Sequence, residues 1–311
     1  MKNNQLMIYG AYGYAGELMV REAVAQGLRP IIAGRDDEKL KPIATELSLE
    51  CRAFGVRNTG SNLQDISVLL NCAGPFSATA EPLARACLAQ QIHYLDITGE
   101  IDIFRKCHAL DEEARQQNVL ILPGAGTDIV PTDCLAAMLK EKLPVATRID
   151  LALSFGTNPS IGTVNTMIES FGKGGLIREG GMLKVVSNAF QMRKIPFQNK
   201  PQWAMTIPWG DVFTSGISTG VPDGAVYMAM PRMSIYMIRL TNPVKGILNT
   251  QFGQKITKRL AGWLMKKGPD AKALEAGRGQ FWGEAEAPDG EKLEMTMSTP
   301  NVYALTATVG I

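Results

Sequence analysis

The sequence predicts an α/β fold in two parts: a doubly wound parallel sheet over residues 1–130, then an α+β domain with a mixed or antiparallel sheet over residues 131–311. Three observations carry this. Short apolar runs alternate with helical stretches of 10 to 15 residues up to about Glu141, the pattern of βαβ units. After about Pro144 the apolar runs alternate with polar residues instead, as half-exposed strands do. Near the end, Gln280–Ala287 and Lys292–Ser298 flank Pro288-Asp289-Gly290, a hairpin signal.

In order, strands are expected at Gln5–Tyr9, Pro30–Ala33, Val68–Asn71, His93–Ile97 and Val119–Leu122. Helices are expected at Glu17–Gln26, Glu38–Leu47, Glu81–Gln90, about Asp102–Gln117 and Pro131–Glu141. In the second part, Arg148–Ser154 reads as a strand and Gly162–Phe171 as a helix. Gly172–Gly181 reads as a mobile loop with the makings of a lid, and Val302 onward as a helix. Length fits about two domains. A net charge of +2 gives no reason to expect nucleic acid. Five scattered cysteines without a C-x-x-C pair suggest neither a disulfide framework nor zinc. With no leader-like start, the expected location is cytoplasmic.

The strongest motif is Gly10-Ala-Tyr-Gly13-Tyr-Ala-Gly16, which follows a strand and opens a helix. Gly10 permits the tight turn, Gly13 lets backbone approach a pyrophosphate, and Gly16 lets helix and sheet pack closely. The helix N-terminus then faces the phosphates. This is the signature of a Rossmann dinucleotide-binding domain. At the end of the second strand an NAD site places a carboxylate for the ribose; here Gly34-Arg35 stands there. Arg35 offers a 2′-phosphate a bidentate fork, a charge-assisted contact of about 1.5–3 kcal/mol. The expected cofactor is therefore NADP(H). Asp36 and Asp37 are read as the start of the next helix. Asn71-Cys72-Ala73-Gly74-Pro75-Phe76 ends a strand on the crevice side, where its backbone nears the nicotinamide and Phe76 is placed to cover the ring. Cys72 reads as a packed residue rather than a nucleophile.

These segments, with Tyr94-Leu-Asp-Ile-Thr-Gly-Glu100 and Gly124-Ala-Gly-Thr-Asp-Ile-Val-Pro-Thr-Asp133, resemble the saccharopine dehydrogenase-like oxidoreductases, most nearly the branch with the trans-acting enoyl reductases. The resemblance covers residues 5–135 well and the rest loosely. It implies a Rossmann domain for NADP(H) and a second domain closing over the cofactor. It also implies that Gly10, Tyr12, Gly13, Tyr14, Ala15, Arg35 and Asn71–Phe76 line the cofactor, and that a further segment follows the equivalent of Ile311.

Hydride transfer asks little of the protein beyond orientation and a proton source. Glu100 and Asp128 are the candidate catalytic residues, with Asp96 and Asp133 behind them. Each has a plainer alternative: Asp128 caps the next helix, and Asp96 holds its loop by backbone hydrogen bonds. His93 and His108 read as structural, and no catalytic metal is expected. None of the seven tyrosines is followed four residues later by Lys, which disfavours short-chain dehydrogenase chemistry, and G-x-S-x-G is absent.

Val244–Lys267 carries an apolar stripe flanked by Lys and Arg; packing within the second domain is favoured over docking on a membrane or a lipid carrier. Trp203, Trp209, Phe213, Met228, Met230, Met233 and Met237 suit an ordinary core better than a hydrophobic pocket. The expected function is NADPH-dependent reduction of a C=C or C=N bond in a small or lipid-like substrate. The alternative is a non-catalytic NADP(H)-binding sensor or accessory protein. The expected partner is a small molecule, hydrophobic or carrier-bound, with homodimerisation left open.

Overall fold

The structure is a computed structural model that describes residues 5–155, 174–240, 242–244, 250 and 277–311. It divides into two compact units, Met1–Val130 with Tyr303–Ile311, and Pro131–Val302. The final helix thus packs with the first unit, not with the residues just before it.

The first unit runs β1 (Gln5–Tyr9), α1 (Tyr14–Ala25), β2 (Ile31–Gly34), α2 (Asp37–Leu47), β3 (Cys51–Ala53), β4 (Ile66–Asn71), α3 (Phe76–Ala89) and β5 (His93–Asp96). It continues with α4 (Ile101–His108), α5 (Asp111–Gln116) and β6 (Ile121–Leu122). The strands lie in the order β3-β2-β1-β4-β5-β6, and every pairing is parallel. This is the doubly wound order, whose switch point falls between β1 and β4. Both faces of the sheet are covered, which is why the strands read as continuous apolar runs. Ile8, Ile32 and Leu70 meet Met19, Val20, Ala23, Leu40 and Ile43 on one face. Met7, Leu69 and Tyr94 meet Leu83, Ala84, Cys87, Ile103 and Cys107 on the other.

Two helices differ from expectation. α3 starts at Phe76, five residues early, with Pro82 held inside it. The single helix expected at 102–117 breaks at Ala109–Leu110, where Asp111-Glu112-Glu113 opens a new N-terminus that favours acids.

The second unit contains α6 (Val130–Lys142) beyond its first residue, then β7 (Arg148–Phe155), β8 (Gly175–Glu179), β9 (Met182–Val186), β10 (Met192–Pro196) and β11 (Pro201–Ile207). It ends with α7 (Asp211–Thr219), β12 (Asp223–Ala229), α8 (Arg232–Leu240), β13 (Gly279–Glu286) and β14 (Lys292–Thr299). The mixed sheet orders β10-β11-β12-β7-β13-β14, with β8 joining β12 and β9. Within this sheet only β12 and β7 pair in parallel among the described strands. The β13–β14 hairpin turns at Gly290, whose φ is +89°.

The glycine-dense stretch is corrected over its described part. It is the β8–β9 hairpin, turned by Gly180 and Gly181 at φ +58° and +78°. Glycine there supplies the left-handed turn rather than a lid. The helix expected at 162–171, and residues 245–267 of the basic stripe except Thr250, lie outside the described residues. The aromatic and Met cluster does not line one pocket. Trp209 and Met228 are buried, while Met233 and Met237 stand on the surface. The last helix, α9 (Val302–Gly310), places Ala307 in the core on the α1 side of the parallel sheet.

Candidate functional site

The β1–α1 and β4–α3 turns meet at the switch point of the parallel sheet. A Cβ on Gly10 would lie 2.7 Å from the Ala73 nitrogen, so glycine is what lets the two turns touch. Gly10 also sits at φ +86°. A Cβ on Gly16 would fall 2.2 Å from the Gly10 carbonyl oxygen, which forces helix and turn together. Gly13 is the N-cap of α1 and no side chain caps that helix end. The first-turn N–H groups stand at the positive end of a twelve-residue helix. These features fit the pyrophosphate of a dinucleotide. Tyr14 and Ala15 open the helix at this point.

The end of β2 fits the expectation for its neighbours. Asp36 is the N-cap of α2, accepting from the Lys39 N–H at 3.4 Å and pairing with the Lys39 ammonium at 3.2 Å. Asp37 pairs with Lys41. Both acids are thus taken up by the helix. Arg35 is exposed, and no hydrogen bond or ion pair among the described residues engages it. Gly34 has a packing reason of its own: a Cβ there would meet the Tyr12 ring at 2.6 Å. Tyr12 in turn carries Lys39 above its ring at 5.6 Å. Gly34 and Tyr12 pack together at the end of β2, next to Arg35 in the chain.

The Asn71–Phe76 segment is held from beneath. Asn71 is fully buried. Its Oδ1 accepts from the Ala73 N–H at 3.0 Å, and its Nδ2 donates to the Tyr94 hydroxyl at 3.1 Å and to Thr79 Oγ1 at 3.3 Å. The Thr79 hydroxyl donates to the Ala73 carbonyl at 2.6 Å. The Tyr94 hydroxyl donates to Asp96 Oδ2 at 2.8 Å. Asp96 Oδ1 accepts from the N–H groups of Thr98 and Gly124, both at 3.0 Å. Burial pushes the Asp96 carboxyl up to about 6, against the pull of those donors. One buried chain thus ties the carboxyl ends of β4, β5 and β6.

This arrangement changes how the segment is understood. The Asn71 amide points into the protein. Cys72 is buried with Sγ 3.2 Å from Met19 Sδ, and burial drives its thiol far up, as expected of a packed cysteine. Phe76 begins α3 and is half-buried, with one side packed against the core. Gly74 and Pro75 are exposed, and open space surrounds the Cβ position of Gly74.

The two candidate carboxylates lie on adjacent loops. Glu100 precedes α4, its N–H bonded to Thr98 Oγ1 at 3.1 Å. A Cβ on Gly99 would sit 3.1 Å from Asp128 Oδ2, so glycine lets the Thr98–Glu100 loop lie on Asp128. Desolvation pushes the Asp128 carboxyl up to about 6. Asp133 belongs to the second unit, where it accepts from the Ser218 hydroxyl at 3.0 Å. His93 accepts the Leu120 N–H on Nδ1 at 3.0 Å, a structural use. Sequence reasoning missed the roles of Tyr94 and Thr98 and the packing of α9 with the first unit. Thr306 accepts the Thr127 N–H at 3.1 Å, and its hydroxyl lies 3.0 Å from that of Thr127. The Tyr303 ring stands edge-on to Tyr14 at 5.2 Å. The alternation of Tyr94, Asp96 and Thr98 along and just past β5 is the signal that marks the buried chain; no local signal marks where α9 packs.

Comparison with known proteins agrees with this geometry. Residues 6–122 match the family model described as saccharopine dehydrogenase NADP binding domain. A rat protein named saccharopine dehydrogenase-like oxidoreductase is 25% identical over 231 residues, 65% of this chain and 53% of that protein. A Mycobacterium tuberculosis protein named as a trans-acting enoyl reductase is 28% identical over 205 residues, 59% of this chain and 44% of that one. The chain spans about half the length of the curated relatives it matches. The solved yeast (Saccharomyces cerevisiae) saccharopine dehydrogenase (L-Glu forming) shares the fold, with a TM-score of 0.65 at 9% identity over 99% of this chain and 89% of that one. The expected cytoplasmic location is corrected: a Caenorhabditis elegans relative, 24% identical over 45% of this chain and 37% of its own length, is named a lipid droplet localized protein. Kinship of this kind therefore does not place a chain in the cytoplasm. With its glycine turn, its switch-point geometry and its match over residues 6–122, the first unit is similar to the saccharopine dehydrogenase NADP binding domain.

Proposed function

We propose that this chain is an NADPH-dependent oxidoreductase that reduces a C=C or C=N bond, with Asp128 holding the proton. The observation that carries the reading is Asp128 itself. It lies against the Gly99 backbone at the carboxyl end of the parallel sheet, and its carboxyl is raised to about 6. A carboxyl so placed keeps a usable fraction of its acid form near neutral pH. When bound, NADPH supplies the hydride. The N–H groups at the start of α1, from Tyr14 and Ala15, bind the pyrophosphate, and Arg35 takes the 2′-phosphate. The Ala73-Gly74-Pro75 backbone, fixed by Asn71 and Thr79, orients the nicotinamide end. Asp128 donates the proton from its carboxyl oxygen, with Glu100 on the adjoining loop. Residues 131–302 form the substrate domain. The relative named as an enoyl reductase favours an enoyl acceptor over an imine.

The test is NADPH consumption, followed by loss of nicotinamide absorbance, against a panel of enoyl thioesters and a panel of imines. One class should support turnover. Its kcat/KM should fall about tenfold per pH unit above about pH 6, where Asp128 ionises. Asp128→Asn should lower kcat by about a hundredfold and lose that limb of the profile. Tight NADPH binding with no turnover on either panel overturns the reductase reading in favour of an accessory role.

A further inference from the structure

The loop that carries Asp128 is held by the far end of the chain. Gly124, Ala125, Gly126 and Thr127 are all buried. A buried N–H without an acceptor is costly, so the partner of each one matters. The Gly124 N–H goes to Asp96 Oδ1 at 3.0 Å and the Ala125 N–H to the Asp96 carbonyl at 2.7 Å. The Gly126 N–H turns back to the Gly124 carbonyl at 2.8 Å. The Thr127 N–H, next to Asp128, goes to Thr306 Oγ1 at 3.1 Å. The Thr306 hydroxyl in turn donates to the Thr127 hydroxyl oxygen at 3.0 Å. One side chain of α9 therefore holds Thr127 by both its backbone and its side chain.

The helix is shaped for that contact. Tyr303, Thr306, Ala307 and Gly310 fall at i, i+3, i+4 and i+7, on one face. Ala307 lies in the core with Met19, Val20 and Ala23 of α1. A Cβ on Gly310 would collide with Met19 Cε and lie 3.2 Å from the Ala125 carbonyl oxygen. A Cβ on Gly126 would meet Thr306 Cγ2 at 3.2 Å. Glycine on both sides thus lets α9 lie against the loop. These residues all belong to the first unit. Apolar contact through Ala307 and Ile311 docks the helix on the core. The Thr306 hydroxyl adds a directional hold, and that hold falls on the residue before Asp128.

Asp128 has a second attachment. A Cβ on Gly99 would lie 3.1 Å from Asp128 Oδ2 and 3.3 Å from its Cβ, so the Thr98–Glu100 loop rests on this side chain. That loop is itself fixed, since Asp96 Oδ1 accepts the Thr98 N–H and Thr98 Oγ1 accepts the Glu100 N–H. The carboxyl thus stands between the Gly99 backbone and the α9 clamp.

We propose that Thr306 is a positioning residue of the candidate site: through Thr127 it holds the Asp128 carboxyl against the Thr98–Glu100 loop and keeps water from it. The inference rests on the reading of Asp128 as the group that holds the proton.

The experiment is a carboxyl titration of the full chain by carbon NMR, with the Asp128 signal identified by its loss in Asp128→Asn. In the wild type the midpoint should lie at about 6, because burial disfavours the ionised form. Thr306→Val keeps the shape of threonine and loses both bonds. It should admit water, favour the carboxylate and bring the midpoint down to about 5. Thr306→Ser keeps the hydroxyl and should titrate as the wild type does. Gly310→Ala leaves the hydroxyl in place but presses α9 off the Ala125 carbonyl, so it should lower the midpoint by less. An unmoved midpoint in Thr306→Val, or in Gly310→Ala where Thr306→Val does not fold, overturns the proposal and leaves Thr306 a contact of the fold. So does a midpoint in Thr306→Ser as low as in Thr306→Val, or a wild-type midpoint in the ordinary carboxylate range. The titration needs no turnover. A midpoint that falls as expected in a protein inert on both panels of acceptors keeps the positioning role and removes the reductase reading alone.

Discussion

Asp96 in the first unit and Asp150 in the second are both buried, and burial pushes both carboxyls upward. Their partners differ in kind. Asp96 takes the Tyr94 hydroxyl and the backbone N–H groups of Thr98 and Gly124, all neutral donors. Asp150 takes Arg148 at 2.9 Å and Arg193 at 3.5 Å. Across the β7–β13 pair it faces Glu284, a like charge that would repel it. Arg193 resolves the conflict by gripping Glu284 through both nitrogens at 3.1 Å, with its plane 4.7 Å from the Trp282 ring centroid. The two arrangements have different consequences. Charge paired with charge across strands locks register, since a slip of one residue would send these side chains to the other face. Charge bonded to loop N–H groups instead fixes the turns at the carboxyl ends of a parallel sheet, where such sheets bind ligands.

The contrast can be broken most directly at Arg193. Arg193→Ala leaves Glu284 and Asp150 buried beside each other without their shared cation, which should cost about 3 kcal/mol. The loss should appear in urea unfolding while NADPH affinity stays unchanged. A parallel fall in NADPH affinity would show that the register lock also serves the site. Tyr94→Phe tests the other half. It leaves Asn71 Nδ2 and Asp96 Oδ2 each a partner short, at a cost of about 2 kcal/mol. The cost should depend on pH. The folded-state pKa of Asp96 is raised, so its contribution is greatest below the ordinary carboxylate pKa and declines as pH rises through about 6. The Tyr94 hydroxyl favours the ionised form and moderates that decline. Urea unfolding should therefore show a larger loss in the variant at about pH 8 than at about pH 5, with weaker NADPH binding as the 72–76 turn loosens.

The first unit was largely legible in the sequence because its signals are local. Strands buried on both faces read as apolar runs, and Gly10, Gly13 and Gly16 are spaced by the turn they make. The carboxylate alternatives were legible too: Asp96 holds loop backbone, as its position suggested. What escaped depends on distance along the chain. Thr306 meets Thr127 across 179 residues, and nothing near either residue announces it. In the second unit, glycine density at 174–181 suggested mobility. Only pairing shows that Gly180 and Gly181 turn a hairpin. Arg193, Asp150 and Glu284 escaped for the same reason, since cross-strand partners are set by topology.

Arg35 belongs to neither arrangement, and the smallest predicted effect lies there. Asp96, Asp150 and Glu284 are buried and engaged within the fold, but Arg35 is exposed, and Asp36 and Asp37 are engaged by Lys39 and Lys41. A guanidinium held out at the end of β2 contributes to the fold only what a solvated side chain does, within about 0.5 kcal/mol. The proposed function gives it the 2′-phosphate. Arg35→Ala should leave the urea midpoint unchanged and lower NADPH affinity about tenfold, with NADH affinity unaltered, because a single charge-assisted contact to the 2′-phosphate is removed. Titration of nicotinamide fluorescence with both nucleotides measures this directly. An equal loss for NADH would mean that Arg35 contacts a group common to both nucleotides. A change in stability would mean that it is part of the fold after all, and the division between charges that build the molecule and charges that read the ligand would not hold at this strand end.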